Sequence, residues 1–198
     1  MNQLPLSFYL RDDVVQIARD LLGKRVCTHI DGITTGGLII ETESYRGAED
    51  RASHAYGNRR TARTEVMFQT GGVAYVYICY GIHHLLNVVT NRKDIPHAVL
   101  IRALLPTHGA QEMIKRRKGK KPLANGPGTL TEALGITKEW NGRCLNSSSI
   151  WIEESDILIS EDQIISSKRI GVDYAGEDAL LPWRFCLSSC ISNQNETE

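Results

Sequence analysis

The stretch Gly37-Leu38-Ile39-Ile40-Glu41-Thr42-Glu43-Ser44-Tyr45 begins apolar and then carries two acidic residues. Side chains alternate along a strand, so a regular strand here would place Ile39, Glu41, Glu43 and Tyr45 on one face. Carboxylates beside apolar and aromatic neighbours are poorly solvated when that face is buried. They then pair with a cation or have a raised pKa, and either state suits acid–base chemistry. The alternative is two solvated acids at the end of a strand.

A tyrosine-rich strand follows in Val73-Ala74-Tyr75-Val76-Tyr77-Ile78-Cys79-Tyr80-Gly81, where β-branched and aromatic residues lead into a glycine. Tyr75 and Tyr77 would share a face. Tyr80 has the opposite parity and stands at the end of the strand, so we expect it to project from the turn. Such a strand is either part of a core or a platform for stacking.

Two further apolar segments each contain one isolated polar residue. Asn87 lies within Leu85–Val89, and Arg102 lies within Ala98–Leu104. A buried amide or guanidinium needs partners, because an unmatched one costs a few kcal/mol. Arg102 could meet that need by facing a carboxylate such as Glu43. On the pattern alone, a structural salt bridge beneath the core is the favoured interpretation.

The remaining elements are short. A helix is predicted from a cap at Asp12 to about Leu22, and another from Thr107 into the basic run near residue 115. The other predictions are strands at 24–28, 150–152, 157–159 and 183–187, a short helix at 129–134 closed by Gly135, and a long loop over 46–70. The fold class is therefore α+β, a single domain over 1–190 with a mainly antiparallel curved sheet surrounded by helices. Residues 191–198 are expected to be a frayed polar tail.

Charge is unevenly distributed along the chain although the total of 198 residues is neutral. Residues 1–125 carry 18 basic and 11 acidic residues, a balance of +7, whereas 126–198 carry 5 and 12, a balance of −7. An uneven field can steer a polyanion to one face. The basic clusters are Arg59, Arg60 and Arg63, and the run over 115–121. Each is also what a solvated surface would show.

The sequence lacks signals for metals, disulfides or membranes. Its five cysteines are scattered without a paired CxxC, which favours reduced thiols and a cytoplasmic protein. The pair His83-His84 has no partners at a spacing typical of metal ligands. The first residues do not resemble a signal peptide, and no apolar run approaches the length of a membrane span. We therefore expect no metal, no cofactor and no membrane contact.

Taken together, these segments resemble the alkyladenine (3-methyladenine) DNA glycosylase family, in a compact bacterial form. The matching segments run in order along nearly the whole chain. They are Glu41–Tyr45, His54, Met67-Phe68, Tyr75–Gly81, Leu86–Val88, Leu100–Ala103, Asn125–Leu130 and Arg169–Glu177. The resemblance rests on this colinear set and not on any single match.

The resemblance implies a monofunctional enzyme of base excision repair. Members flip alkylated or deaminated purines out of duplex DNA and hydrolyse the N-glycosidic bond, which leaves an abasic site. By the family motif, Glu43 would be the general base that activates water, and Arg102 would help to position that water. No lysine stands beside Glu43 in the sequence to form a Schiff base, so lyase activity is not expected.

The resemblance also implies roles in recognition. Tyr45, His54 and Tyr77 would sandwich the flipped base, and electron-poor alkylated purines stack well on aromatic rings. Asn87 would line the pocket floor and disfavour the exocyclic amine of ordinary guanine. Tyr80 would enter the minor groove and fill the gap that the base leaves.

The expected partner is double-stranded DNA containing damaged purines, bound by a monomer. Arg59, Arg60 and Arg63 are the candidates for contacts to the DNA backbone. Two other classes of function stay open on the residues alone. One is a damage-specific DNA-binding protein without chemistry. The other is a hydrolase of nucleosides or glycosides that uses Glu41 and Glu43 as a carboxylate pair.

Overall fold

A computed structural model describes residues 2–188, and one antiparallel sheet organises them. The strands are β1 (Arg25–Ile30), β2 (Ile33–Tyr45), β3 (Ala74–Cys79), β4 (His83–Thr90), β5 (His97–His108), β6 (Ile150–Glu153), β7 (Ile164–Ser167) and β8 (Arg184–Leu187). Their main order is β3-β4-β5-β2-β1-β6, and β8 pairs with both β2 and β7. The sheet curls into a half-barrel with few helices, which confirms the predicted α+β class.

Four α-helices accompany the sheet: α1 (Leu6–Tyr9), α2 (Val14–Asp20), α3 (Ala110–Arg116) and α4 (Pro127–Leu134). The Asp13 carboxylate caps α2 by accepting from the N–H groups of Val15 and Gln16. The hydroxyl of Thr42 on β2 donates to the Ala18 carbonyl of this helix at 2.8 Å. The main apolar core lies between the helices and the sheet and includes residues of α2, α4 and strands β1 to β6.

Strand β2 positions the candidate site, because it is the longest strand and pairs with β1, β5 and β8. Its register against β5 shifts between Ile39 and Glu41, and shifts again between Glu41 and Thr42. Such irregularities change the side-chain alternation. Ile39 consequently belongs to the core cluster, while Glu41 pairs with arginines. The prediction that Ile39 shares a face with both carboxylates was therefore wrong.

Several predicted boundaries were also wrong. The cap of α2 is Asp13 and not Asp12, and the helix ends at Asp20. Strand β5 continues to His108 because it stays paired with β2, so the next helix begins after Thr107, at Ala110. Residues 157–159 form no strand, and an unpredicted strand, β7, instead occupies Ile164–Ser167 and pairs with β8. The predicted tail, 191–198, lies outside the described residues.

Within residues 2–188, the helices are too short and too polar for any of them to cross a membrane.

Candidate active site

A cavity of about 460 Å³ opens on one side of the curled sheet, where the ends of β2 and β3 face each other across β4 and β5. Tyr45 comes from the end of β2, and Tyr77 comes from β3. Asn87 and Leu100, which pair across β4 and β5, also line the cavity. The volume falls within the range of small-molecule pockets. The curl of the sheet thus brings the residues of the predicted site together.

Glu43 is fully buried just behind the cavity wall, and donors surround its carboxylate. Its Oε1 accepts from the Ile170 N–H at 2.8 Å and lies 3.3 Å from Arg102 Nη1. Its Oε2 accepts from the Tyr45 hydroxyl at 2.8 Å. Burial raises the pKa of Glu43, and the Arg102 charge and the Ile170 N–H oppose that rise. A buried carboxylate with a raised pKa and fixed donors suits proton transfer.

Arg102 contacts both carboxylates of β2. Its Nε donates to Glu41 Oε1 at 2.8 Å, while its Nη1 approaches Glu43. Glu41 Oε1 also accepts from Arg184 Nε at 2.6 Å, so two guanidiniums hold Glu41. The prediction that Arg102 faces a buried carboxylate such as Glu43 is confirmed. Because Glu41 is occupied by these arginines, the geometry does not favour a free carboxylate pair.

Tyr45 has one ring face covered and one edge anchored. The Arg169 guanidinium lies over the ring with its Cζ 4.8 Å from the centroid. Arg169 in turn forms a bidentate ion pair with Asp50, and both side chains are completely buried. The Tyr45 hydroxyl donates to Glu43, and burial together with the Glu43 charge raises the pKa of the phenol. Tyr45 therefore stays a neutral donor in a fixed orientation.

His54 and Tyr77 form a single aromatic wall. Their ring centroids lie 4.7 Å apart at an interplanar angle of 78°, which is an edge-to-face contact. No base fits between rings in direct contact, so a base between aromatic residues would have this wall on one side and Tyr45 on the other. This arrangement refines the predicted three-residue sandwich.

The hydrogen bonds of His54 define its tautomer. Its Nε2 lies 3.2 Å from Arg63 Nη2, which can only donate, so Nε2 must accept. The proton then resides on Nδ1, which lies 2.9 Å from the Tyr75 hydroxyl. Burial, with the charges of Arg63 and Arg59, lowers the pKa of His54 to about 4. The imidazole is consequently neutral at physiological pH.

Asn87 is buried on β4 with its amide held from one side. Its Nδ2 donates to the Tyr75 carbonyl at 3.1 Å. No hydrogen bond to its Oδ1 is made by another side chain or main-chain group within residues 2–188. An acceptor in the cavity lining can favour or disfavour a base according to the groups on the base edge. This placement is compatible with the predicted position of Asn87 at the pocket floor.

Tyr80 lies in the turn between β3 and β4 and is 91% exposed. Both Tyr80 and Gly81 have positive φ, 51° and 75°, and the Ile82 N–H donates to the Cys79 carbonyl at 3.2 Å. This is the pattern of a tight hairpin turn, and a bulky residue at positive φ is strained. Ile82, which the sequence analysis missed, is 72% exposed beside it. The tip therefore presents two exposed apolar side chains.

The three predicted backbone arginines occupy different environments. Arg60 forms ion pairs with Glu65 and Asp94 at 2.8 Å each. Arg59 and Arg63 line a second cavity, of about 360 Å³, that adjoins the first. Arg63 lines both cavities. The structure thus brings Arg59 and Arg63 to the site and leaves Arg60 engaged with carboxylates.

Comparisons with known proteins identify the family. The model of the methylpurine-DNA glycosylase family matches residues 7–190. A protein of Chlamydia abortus is 50% identical over 188 residues, covering 93% of this chain and 97% of its own length. A protein of Bacillus cytotoxicus is 45% identical over 192 residues, covering 91% of this chain and 94% of its own. Both are provisionally named 3-methyladenine DNA glycosylases.

This chain belongs to the methylpurine-DNA glycosylase family. Membership makes it a hydrolase of DNA repair, a DNA glycosylase for methylpurines. The resemblance drawn from the motifs is thereby confirmed. In this glycosylase, residues 2–188 contain no cluster of three or more histidine, cysteine or acidic side chains placed to hold a metal ion.

Sequence reasoning missed four residues that shape the site of this glycosylase. Asp50 and Arg169 fix Tyr45, Arg184 shares Glu41 with Arg102, and Ile170 donates to Glu43. Arg169 and Ile170 lie in one of the segments that resemble the family, but the sequence assigned no role to either residue. Asp50 and Arg184 gave no usable signal, because their partners are distant in sequence.

Proposed function

We propose that this glycosylase flips alkylated or deaminated purines out of duplex DNA and hydrolyses their N-glycosidic bond with Glu43 as general base. The observation that carries the proposal is the juxtaposition of Glu43 and Arg102 at the wall of an aromatic cavity. A glycosidic bond is inaccessible inside the base stack, so chemistry on it requires extrusion of the nucleotide. The cavity has the size of a small-molecule pocket and opens beside an exposed hairpin tip.

The chemical step needs one water molecule. Its oxygen attacks C1′, the bond from C1′ to the purine nitrogen breaks, and the purine leaves with the bonding electrons. Glu43 takes the proton from the attacking water, and Arg102 holds the carboxylate and the water in position. Alkylation on the ring makes many of these purines cationic, and such a base leaves without further activation. The products are a free base and an abasic site.

Recognition follows from the cavity walls. The exposed face of Tyr45 and the wall of His54 and Tyr77 would stack on the extruded purine, and stacking contributes about 1–3 kcal/mol per base. The Oδ1 of Asn87 would meet the edge of the base at the cavity floor. An exocyclic amine on a guanine would crowd this amide, whereas hypoxanthine lacks that amine. The same floor would therefore admit purines that lack this amine in preference to guanine.

Tyr80 would support the flipped state from outside the cavity. An exposed aromatic side chain on a tight turn has the shape of the wedges that other proteins insert between bases. The backbone of Tyr80 is strained at its positive φ. Because the side chain is 91% exposed, its burial contributes little free energy to offset that strain. Strain of this kind concentrates at functional positions. We propose that Tyr80 fills the gap left by the extruded base, in a protein that acts as a monomer.

Replacing Glu43 by Gln tests the base. Gln keeps the shape and loses the ability to take a proton, so base release should fall by at least about a hundredfold while binding to lesion duplexes persists. Glu41→Gln should reduce the rate less, because Glu41 is tied to Arg102 and Arg184. Glu65→Gln, a change at an exposed ion pair, is the matched control. Normal excision by Glu43→Gln would exclude Glu43 as the base, and equal losses at Glu41 and Glu43 would favour the carboxylate pair.

Borohydride trapping tests the monofunctional mechanism. Among the described residues, no lysine lines either cavity, so no amine is placed to attack C1′. Incubation with lesion duplex and borohydride should therefore trap no covalent complex of enzyme and DNA, and treatment with EDTA should leave the rate unchanged. A trapped complex would reveal an amine nucleophile, and a loss of rate in EDTA would reveal a metal requirement.

A further inference from the structure

Arg63 occupies the place on the aromatic wall where an extruded purine would stack. Its guanidinium lies over the Tyr77 ring with Cζ 4.9 Å from the centroid. Its Nη2 also donates to Nε2 of His54 at 3.2 Å, so one side chain spans both members of the wall. Stacked rings lie with their centroids about 4.5–7 Å apart. A purine and the guanidinium therefore cannot share this face of Tyr77, and Arg63 has to leave before a base can stack there.

The contacts that hold Arg63 over Tyr77 are weak. Its side chain is exposed, and it forms no ion pair within residues 2–188. Its neighbour Arg60, by contrast, pairs with Glu65 and Asp94. A cation–π contact at an exposed site and a single hydrogen bond together change an equilibrium by about tenfold. Arg63 is thus held loosely enough to be displaced, and its charge is free to attract an anion.

The adjoining cavity of about 360 Å³ offers a place for that anion. Its lining combines three arginines with three hydroxyl side chains: Arg51, Arg59, Arg63, Ser53, Thr61 and Thr64. None of the described residues that line it is acidic. Guanidiniums and hydroxyls without a competing acid suit a phosphate group. Because Arg63 lines both cavities, a phosphate bound in the adjoining cavity would attract it away from the aromatic wall.

We propose that Arg63 is a specificity-determining residue that reserves the base cavity for purines attached to a DNA backbone. In the free enzyme it covers the stacking face of Tyr77, and a phosphate of the bound strand draws it away as the base enters. The proposal rests on the proposed function and adds to it the exclusion of free bases and nucleosides, which bring no phosphate. A cationic alkylated purine would renew the cation–π contact that the guanidinium gives up, so the exchange suits methylpurines.

The test compares a ligand without a phosphate, free 3-methyladenine, with a duplex that carries one hypoxanthine. Calorimetry measures the affinity for the free base, and fluorescence anisotropy measures the affinity for the duplex. Every protein compared also carries Glu43→Gln, so that the base stays attached to the duplex.

Arg63→Ala should change the two affinities in opposite directions. It should bind free 3-methyladenine about tenfold more tightly, because the base no longer competes with the guanidinium for Tyr77. It should bind the duplex less tightly, and the steepness of log binding constant against log salt concentration should fall by about 1, because one phosphate contact is lost. A variant that is merely misfolded would lose affinity for both ligands.

Arg59→Ala is the matched control. Arg59 lines the adjoining cavity but not the base cavity, so its loss should weaken duplex binding and leave the affinity for free 3-methyladenine unchanged. Thermal melting checks the folding of each variant, and Arg63→Gln is a second uncharged variant that should reproduce both changes.

The inference is overturned if the folded, uncharged variants bind free 3-methyladenine no more tightly than their parent, or do not bind it at all. Unchanged duplex binding in these variants overturns it as well. Failure of the enzyme with Glu43 intact to release 3-methyladenine or hypoxanthine from duplex DNA would instead refute the proposed function.

Discussion

The buried pair of Asp50 and Arg169 should be the most sensitive point of the site, and Asp50→Asn tests it. Four donors converge on the Asp50 carboxylate. Two come from Arg169, at 2.5 and 2.9 Å, and two are the N–H groups of Arg46 and Ala52, at 3.1 and 2.9 Å. Asn offers one oxygen and one NH₂ group. In the variant, the donors at one of the two oxygen positions would therefore face the NH₂ group, which is itself a donor. The fully buried guanidinium of Arg169 would also lose its counter-charge.

The expected cost follows from this geometry. Removing one partner of a buried ion pair costs about 3–5 kcal/mol, because the remaining charge is desolvated without compensation. Arg169 keeps its hydrogen bonds to the carbonyls of Ser44 and Asp178, which place the value at the lower end of that range. A domain of this kind is stable by about 5–15 kcal/mol. The variant should therefore fold but lose a large share of its stability.

Urea denaturation followed by circular dichroism measures the loss, and an unchanged slope against urea shows that the unfolding reaction is the same. Glu65→Gln is the control, since it breaks an exposed ion pair and should leave the midpoint unchanged within error. Excision should also slow in Asp50→Asn well below the unfolding transition, because Arg169 holds the ring of Tyr45. If Asp50→Asn unfolds at the same midpoint as Glu65→Gln, the reasoning is refuted.

Four other outcomes follow from the site. Release of 7-methylguanine should rise with pH through the raised pKa of Glu43, since only the ionised form accepts a proton; an acid limb in the ordinary range of a glutamate, about 4.3, would contradict this. In the folded protein the pKa of His54 is lowered to about 4, whereas the ordinary value for a histidine is about 6.5. As the pH falls below about 6.5, His54 therefore takes up a proton in the unfolded chain before it does so in the folded protein. The free energy of unfolding should therefore decrease as the pH falls from about 6.5 to about 4. The denaturation midpoint of His54→Gln should depend less on pH over this range. Tyr80→Asn should relieve the strain at positive φ, so the variant should melt no lower than the parent. Its excision of a base from a fully paired duplex should fall more than its excision from a mismatched site. Equal losses on the two substrates would exclude a wedge. Arg59→Ala should reduce the steepness of log binding constant against log salt concentration by about 1. Arg60→Ala should change this slope less, because Arg60 is already ion-paired. A larger change for Arg60→Ala than for Arg59→Ala would place the DNA on another surface.

The strands and most cavity residues could be predicted because their signals are local. Alternation over residues 73–81 places Tyr75 and Tyr77 together, and a lone guanidinium in an apolar run requires a buried acid near Arg102. The register shifts of β2 had no such signal, since they occur in its pairing with β5, a strand about 60 positions further along the chain. The predicted face of Ile39 was wrong for that reason. Local periodicity describes one strand and carries no information on its partners.

Long-range contacts set the rest of the site. Asp50 and Arg169 are separated by 119 positions, and neither segment is apolar enough to indicate burial. The strand at 164–167 is recognisable only once β8 is in place as its partner. The helix predicted from Thr107 did not form there because pairing with β2 extends β5. In each case a tertiary contact overrides a weak local preference.

The two interpretations of Arg102 as a structural salt bridge or a catalytic group describe one arrangement. Glu41 and Glu43 bring two negative charges to β2, and Arg102 and Arg184 bring two positive ones, so the buried cluster is neutral overall. A single ionised carboxylate at 0% exposure would otherwise take up a proton. Arg102 can therefore serve Glu43 because Glu41 and Arg184 complete the charge balance beside it. Under the proposed mechanism, these ion pairs are the condition under which the fully buried Glu43 can be ionised and act as a base.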